Sequence, residues 1–229
     1  MPRNVNPRRP LNAETVVDAA VRMADEGGGL EAVSLRRLAW VLGVTPMAIY
    51  RHVRDKDHLL DLMADRLLQQ IELPPADTEP WAEALRRVGH GLLAVIEAHP
   101  AAPFLLARPF SSPSADRVAD AMLAVLDRAG LDRDEAVRLL QVLTGMILGP
   151  AIHRATYRAA WRAHPPDGYP EWSRADHRLA EDAPHLAGAA DQLADWSSGP
   201  EADRITVDVW VGGVEALASR PRSEGASRR

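Results

Sequence analysis

No cysteine occurs in the 229 residues, so neither a disulfide framework nor a thiolate metal site can form. Lysine is nearly missing as well: Lys56 is the single one among 27 basic residues, and all the others are arginine. Aromatic residues are 5% of the chain, with two Phe and three Tyr against six Trp, and strand-like alternation is scarce, so an all-α fold is expected. No apolar run approaches the ~18 residues of a membrane helix and the first residues form no apolar leader, which predicts a soluble, cytoplasmic protein with no membrane partner. The eight histidines contain no HxxxH or HExxH pair, and the neighbours His177 and His185 have no carboxylate or imidazole at ligand spacing. Neither a GxSxG nucleophile motif nor a phosphate-cradling glycine loop is present. An enzyme, a cofactor and a metal are therefore not expected.

What the chain does contain is concentrated in residues 34–56, SLRRLAWVLGVTPMAIYRHVRDK. Ser34 suits the N-cap of a helix whose apolar face is Leu35, Leu38, Ala39 and Leu42, and Gly43 suits its left-handed end. Thr45 is a second cap and Pro46 fits a first helical position, so another helix starts after a short turn. With Ile49 and Val53 facing inward, its other side presents Thr45, Met47, Ala48, Tyr50, Arg51 and His52. Five basic residues, Arg36, Arg37, Arg51, Arg54 and Lys56, stand against Asp55 alone, a net +4 in a chain whose total is −5, which leaves −9 on the remainder. A basic island in an acidic protein points to a polyanion, because attraction to phosphate is local and decays over a Debye length of ~8–10 Å. Trp40 falls off the apolar face of its helix and is expected to pack on a neighbouring element.

Around this unit the periodicity predicts a helix from an Asn12 cap to Glu26, with Val16, Val17, Ala20, Val21 and Ala24 inward and Gly27, Gly28 and Gly29 ending it. Another runs from an Asp55 cap to Ile71 with two apolar stripes, so it can touch both the helix-turn-helix and the helices beyond it. From Trp81 helices are expected to Ala98, from a Ser114 cap to Ala129, from an Asp132 cap to Trp161 as a long and largely buried helix, near 184–196, and from Glu201 to Ala218. FLLARPF is a short irregular or helical piece, and residues 162–183 are a long loop. Residues 1–11 hold Arg3, Arg8, Arg9 and three prolines; they read as a disordered terminus or as a basic arm for a minor groove. The organisation expected is residues 12–71, then 76–218, with flexible tails at 1–11 and 219–229.

The series SLRRLA, LGVTPMAIYRHV and DKDHLL over residues 12–71 resembles the DNA-binding domain of the TetR family of bacterial transcription regulators. HPAAP, LLARP, GLDRDEAVRLL and PHLA in the segment from Trp81 to Leu217 resemble the ligand-binding and dimerisation domain of its tetracycline-repressor branch. The resemblance implies an N-terminal three-helix helix-turn-helix domain and a larger C-terminal helical one. It also implies a homodimer on palindromic double-stranded operator DNA, released by a small-molecule effector. Arg36 then stands where a base-reading arginine is found, as a base or a phosphate contact. Thr45, Pro46, Met47 and Tyr50 lie at the front of the recognition helix. Ser34, Ala48, His52 and Lys56 occupy backbone-contacting or supporting positions, while Arg37 and Arg51 complete the basic surface. In tetracycline repressors a histidine just before the Arg-Pro pair helps hold the magnesium-bound drug; Phe104 stands there before Arg108 and Pro109, which argues against tetracycline and against a metal.

For the effector, apolar and sparse polar side chains between helices are the candidates: Trp81, His90, Phe104, Arg108, Phe110, Met122, Met146, His153, Tyr157 and Trp172. His90 and His153 are favoured because each interrupts an apolar helix face. For the dimer, the last helix offers Ile205, Val209, Trp210, Gly213, Val214 and Leu217, joined by Leu143 and Ile147 of the long helix. A monomeric helical small-molecule-binding protein, or a constitutive or activating regulator without effector-triggered release, are the alternatives.

Overall fold

The structure, a computed structural model, describes residues 11–74, 78–163 and 201–220, with side chains left out at 157–163 and 201–203. Among these the chain forms nine α-helices and no strand: α1 Ala13–Gly27, α2 Leu35–Leu42, α3 Pro46–Tyr50, α4 Lys56–Leu68, α5 Trp81–Ala98, α6 Ala102–Leu106, α7 Pro113–Arg128, α8 Arg133–Ala163 and α9 Glu201–Ala218. A 3-10 turn, Leu30–Ala32, joins α1 to α2. The chain divides into two compact units, Met1–Ile71 with Val95–Arg117, and Glu72–Ala94 with Val118–Arg229. Residues 95–117, beyond the boundary expected at 71, thus cluster with the first unit.

Local chemistry starts and stops these helices where the sequence placed the signals. Asn12 Oδ1 accepts from the Thr15 N–H at 2.8 Å, and Gly28 takes φ 79° beyond the end of α1. Asp132 and Glu135 form a reciprocal capping box at the start of α8: Oδ1 accepts from the Glu135 N–H at 2.8 Å and Oε2 from the Asp132 N–H at 3.3 Å. Two expectations shift. α7 is capped by Ser112, whose hydroxyl accepts from the Ala115 N–H at 3.1 Å, because the helix already begins at Pro113, a residue suited to the first helical position. α4 stops at Leu68 rather than Ile71; the chain turns through Gln69 and still buries Ile71.

The core of the first unit is the inward face of α1, Val16, Val17, Ala20, Val21 and Ala24, closed by Leu38, Ile49, Val53, Leu59, Met63 and Leu67. α4 packs on α1 and on α6. In the second unit α8 packs on α9. There a Cβ built on Gly89 of α5 would lie 2.9 Å from Val207 Cγ1 of α9, so glycine is what lets the two helices approach. Arg86 of α5 meets Asp208 at 3.4 Å and Glu215 at 3.6 Å on the same α9.

α8 departs from expectation. It runs to Ala163, through Pro150 and past the start of the loop expected at 162–183. It buries Leu143, Ile147, Leu148 and Ala151 but leaves Val137, Val142, Gly145, Gly149 and His153 exposed. It is therefore not largely buried within the chain. Over Arg133–Thr156 it is long and apolar enough, by length and composition, to cross a membrane, although no uninterrupted apolar run signalled this. Core helices share that composition, and the buried side of α8 faces α9. The rest of the loop, the helix expected near 184–196, and residues 1–10 and 221–229 lie outside the described residues.

Candidate nucleic-acid interface

The turn between α2 and α3 is built from short-range hydrogen bonds that the sequence makes available. Ser34 Oγ accepts from the Arg37 N–H at 3.2 Å and Thr45 Oγ1 from the Ala48 N–H at 3.3 Å, so each helix begins on its own hydroxyl. Gly43 takes φ 65°, and the Val44 N–H reaches back to the Ala39 carbonyl at 3.0 Å, closing α2. Pro46 occupies the first turn of α3, where no N–H is missed. α4 starts just as locally. Asp55 Oδ1 accepts from the His58 N–H at 2.7 Å, while His58 Nδ1 accepts from the Arg54 N–H at 3.1 Å.

Ile49, Leu38 and Val53 anchor this unit in the core, and the remaining side chains are turned out. Ser34, Arg36, Arg37, Thr45, Pro46, Met47, Tyr50 and Arg51 are exposed; Ala48, His52 and Lys56 are half-buried. Met47 is 71% exposed and Tyr50 half exposed, with the exposed Arg51 next to Tyr50 in the chain. Trp40 is 81% exposed, and Val41 next to it is also open, so the expected packing of Trp40 on a neighbouring element does not occur. The reason is its place on α2: Leu38 and Ala39 take the inward positions, which puts residue 40 on the far side.

Carboxylates on α1 and α4 hold this interface to the rest of the first unit, and no sequence motif singles them out. Asp25 Oδ2 lies 2.8 Å from His99 Nδ1, and its Oδ1 accepts from the Ala101 N–H at 3.2 Å, tying α1 to the turn before α6. Arg66 of α4 bonds Asp18 of α1 at 2.9 Å. Asp57, Asp61 and Asp65 recur every four residues on one side of α4. Arg108 meets Asp61 at 3.4 Å and Asp57 at 3.8 Å, and Asp65 accepts from the Ser114 N–H at 2.9 Å. Partial burial pushes the Asp65 carboxyl up, but hydrogen bonds from Ser114, Ser112 and Gln69 outweigh it and hold the group below its ordinary value. The spacing of the three acids was a readable signal. Their partners, some 50 residues away in sequence, were not.

The expected effector residues divide between the units. Phe104, Arg108 and Phe110, all half-buried, belong to the first. Trp81, His90, Met122, Met146, His153 and Tyr157 belong to the second; Met122 is buried, Trp81 and Met146 are half-buried, and Trp172 lies outside the described residues. His90 and His153 do not interrupt buried faces. His90 lies on the open side of α5 with Glu83, Arg87, Ala94 and Glu97, and His153 continues the exposed line 142, 145, 149 of α8.

The face expected for a dimer also divides. Leu143, Ile147, Trp210 and Val214 are buried inside the chain, where the indole Nε1–H of Trp210 donates to the Leu139 carbonyl at 3.1 Å. Ile205, Val209 and Gly213 are exposed and Leu217 is half-buried.

A family model described as the tetracyclin repressor-like C-terminal domain matches residues 73–195, more than half of the 229. This chain belongs to the TetR family of transcription regulators. The HTH-type transcriptional repressor DrrR1 of Streptomyces coeruleorubidus is 37% identical to this TetR-family protein over 151 residues, which are 63% of the chain and 54% of DrrR1. The match thus spans about half the length of that relative. An HTH-type transcriptional regulator of Saccharopolyspora erythraea is 28% identical over 181 residues, 78% of the chain and 74% of the relative. Among solved structures, the Streptomyces coelicolor TetR family protein ActR in complex with actinorhodin superposes with a TM-score of 0.74 at 22% identity, covering 92% of this chain and 98% of ActR, a likeness of fold.

Proposed function

We infer that this TetR-family regulator is a homodimeric repressor that binds a palindromic operator and is released by a small-molecule effector. One observation carries the DNA half: α3 and its cap present Thr45, Pro46, Met47 and Tyr50 to solvent, within a stretch of local charge +4 in an acidic chain. In this reading residues 12–71 form the DNA-binding domain, with Ser34, Arg36, Arg37, Ala48, Arg51, His52 and Lys56 around the recognition helix. Residues 76–218 form the effector-binding and dimerisation domain. The effector half draws on ActR, solved with actinorhodin.

The dimer half draws on where apolar side chains remain open. Among the described residues the large exposed ones fall into two groups, Trp40, Val41, Met47 and Tyr50 in the helix-turn-helix, and Val137, Val142, Ile205 and Val209 on α8 and α9. The second group runs beside Gly145, Gly149, Gly212 and Gly213, where an added Cβ would meet nothing within 4 Å. Open valines and isoleucine lined by glycines suit close packing against the same two helices of another copy. The regulator works in the cytoplasm, without a metal or cofactor, and performs no catalysis.

Selection of genomic fragments by the purified protein tests the reading. The expected product is an inverted repeat with half-site centres about one helical turn apart, ~34–36 Å or a little more. Recovery only of asymmetric sites bound by one subunit refutes it.

A further inference from the structure

Trp40 is the most open large apolar side chain among the described residues, and the core does not account for it. Leu38 and Ala39 take the inward side of α2, with Leu35 and Leu42 half-buried at its edges. At about 100° per residue, Trp40 falls opposite that side and between Arg36 and Arg37, both exposed. Residues three and four apart on a helix are neighbours, so the indole has an arginine on either side. Long helical side chains lean towards the N-terminus, which carries the indole over the turn that holds the two arginines. Val41, 53% exposed, follows Arg37 by four residues and widens the apolar strip.

We propose that Trp40 is a DNA contact: its indole lies on the backbone that Arg36 and Arg37 approach, the ring covering a deoxyribose and the Nε1–H donating to a phosphate oxygen. This rests on operator binding and deepens it. In a helix-turn-helix the first helix crosses the backbone while the second enters the groove, and α2 is the first. The outward side of α2 therefore meets sugar and phosphate, and Trp40 continues the surface that Ser34, Arg36 and Arg37 begin.

Charge decides against a protein occupant. An apolar protein surface laid on Trp40 would strip water from two guanidiniums and return no anion. A nucleic-acid backbone supplies phosphates for the arginines and an apolar sugar face for the ring, and tryptophan, an apolar body with one donor, matches both. The contact carries affinity rather than sequence, since sugar and phosphate are the same at every base pair.

The test uses the full chain and an operator recovered by selection, with binding read by fluorescence anisotropy of labelled DNA. Trp40→Ala is expected to bind about tenfold weaker, ~1.4 kcal/mol, with the salt slope unchanged, because an uncharged side chain releases no counterion. The same factor is expected on operators carrying single base-pair changes. Acrylamide quenching of tryptophan emission should fall when the operator binds wild type, and change far less in Trp40→Phe. Trp40→Ala is expected to melt within about 2 °C of wild type; a fall of more than about 4 °C shows that the ring is part of the fold and overturns the proposal. Unchanged operator affinity in Trp40→Ala overturns it, as does a loss confined to one operator sequence, which makes Trp40 a base reader. Loss only of cooperation between two operators on one fragment assigns the face to a second copy and overturns it too. If the wild type selects no operator, operator binding itself fails and the contact falls with it, whereas a wild type and a Trp40→Ala that bind equally remove the contact alone.

Discussion

Replacing Asp65 by alanine strips the acceptor that α4 extends to the start of α7. In the native protein its carboxylate takes the N–H of Ser114, a buried residue, at 2.9 Å and the Gln69 amide at 2.8 Å. Alanine leaves the Ser114 N–H without a partner, at about 1–3 kcal/mol, and removes a negative charge from the first turn of a helix, at about 0.3–1 kcal/mol. The expected loss is about 2–3 kcal/mol by urea unfolding, or a fall in Tm of roughly 5–10 °C for a protein of this size. Asparagine keeps an acceptor oxygen and loses only the charge, so Asp65→Asn should cost no more than about 1 kcal/mol.

The pH dependence has a definite sign. The native carboxyl titrates below its ordinary value, so the ionised group adds stability that is complete above about pH 4 and disappears as pH falls through the lowered native value. The gap between wild type and Asp65→Asn should therefore be constant at neutral pH and close in acid. An alanine variant within about 0.5 kcal/mol of wild type, an asparagine variant as damaged as the alanine one, or a gap that widens in acid would each refute this account.

Lys56→Ala should weaken binding to all DNA sequences alike and lower the salt slope by about one unit, whereas Arg36→Ala should cost roughly 1–3 kcal/mol on the preferred operator and relax one base position; fluorescence anisotropy across a salt series separates them. A Cβ added at Gly213 meets nothing within 4 Å among the described residues, so in Gly213→Leu the helix content should persist while light scattering reports a monomer. Ile49→Ala, at 0% exposure, should cost about 2–5 kcal/mol in urea unfolding, while Trp40→Ala should stay within about 0.5 kcal/mol.

Residues 34–56 were legible without coordinates because each decision in them is made within four residues. Ser34, Thr45 and Asp55 each accept from the N–H three residues on, Gly43 turns left-handed where α2 must stop, and the apolar spacing puts Leu38 and Ile49 inward. The cap at Asp132 was readable for the same reason, and the bounds of α9, Glu201–Ala218, followed from its apolar pattern. Where two faces of one helix are both apolar, periodicity cannot say which meets the protein's own core. On α9 it offered Ile205, Val209, Trp210 and Val214 together. Only packing against α8 and Gly89 buried Val207, Trp210, Val211 and Val214 and left Ile205 and Val209 open. The exposure of Trp40 likewise depended on no other element arriving to cover it. The carboxylates that hold the interface in place depend on tertiary structure most of all. Asp25 finds His99 and Ala101 across more than 70 residues, and Asp65 finds Ser114 across 49. A charge in a sequence carries no mark of its partner, so those pairings were decided by the way α1, α4 and the segment around α6 fold against one another.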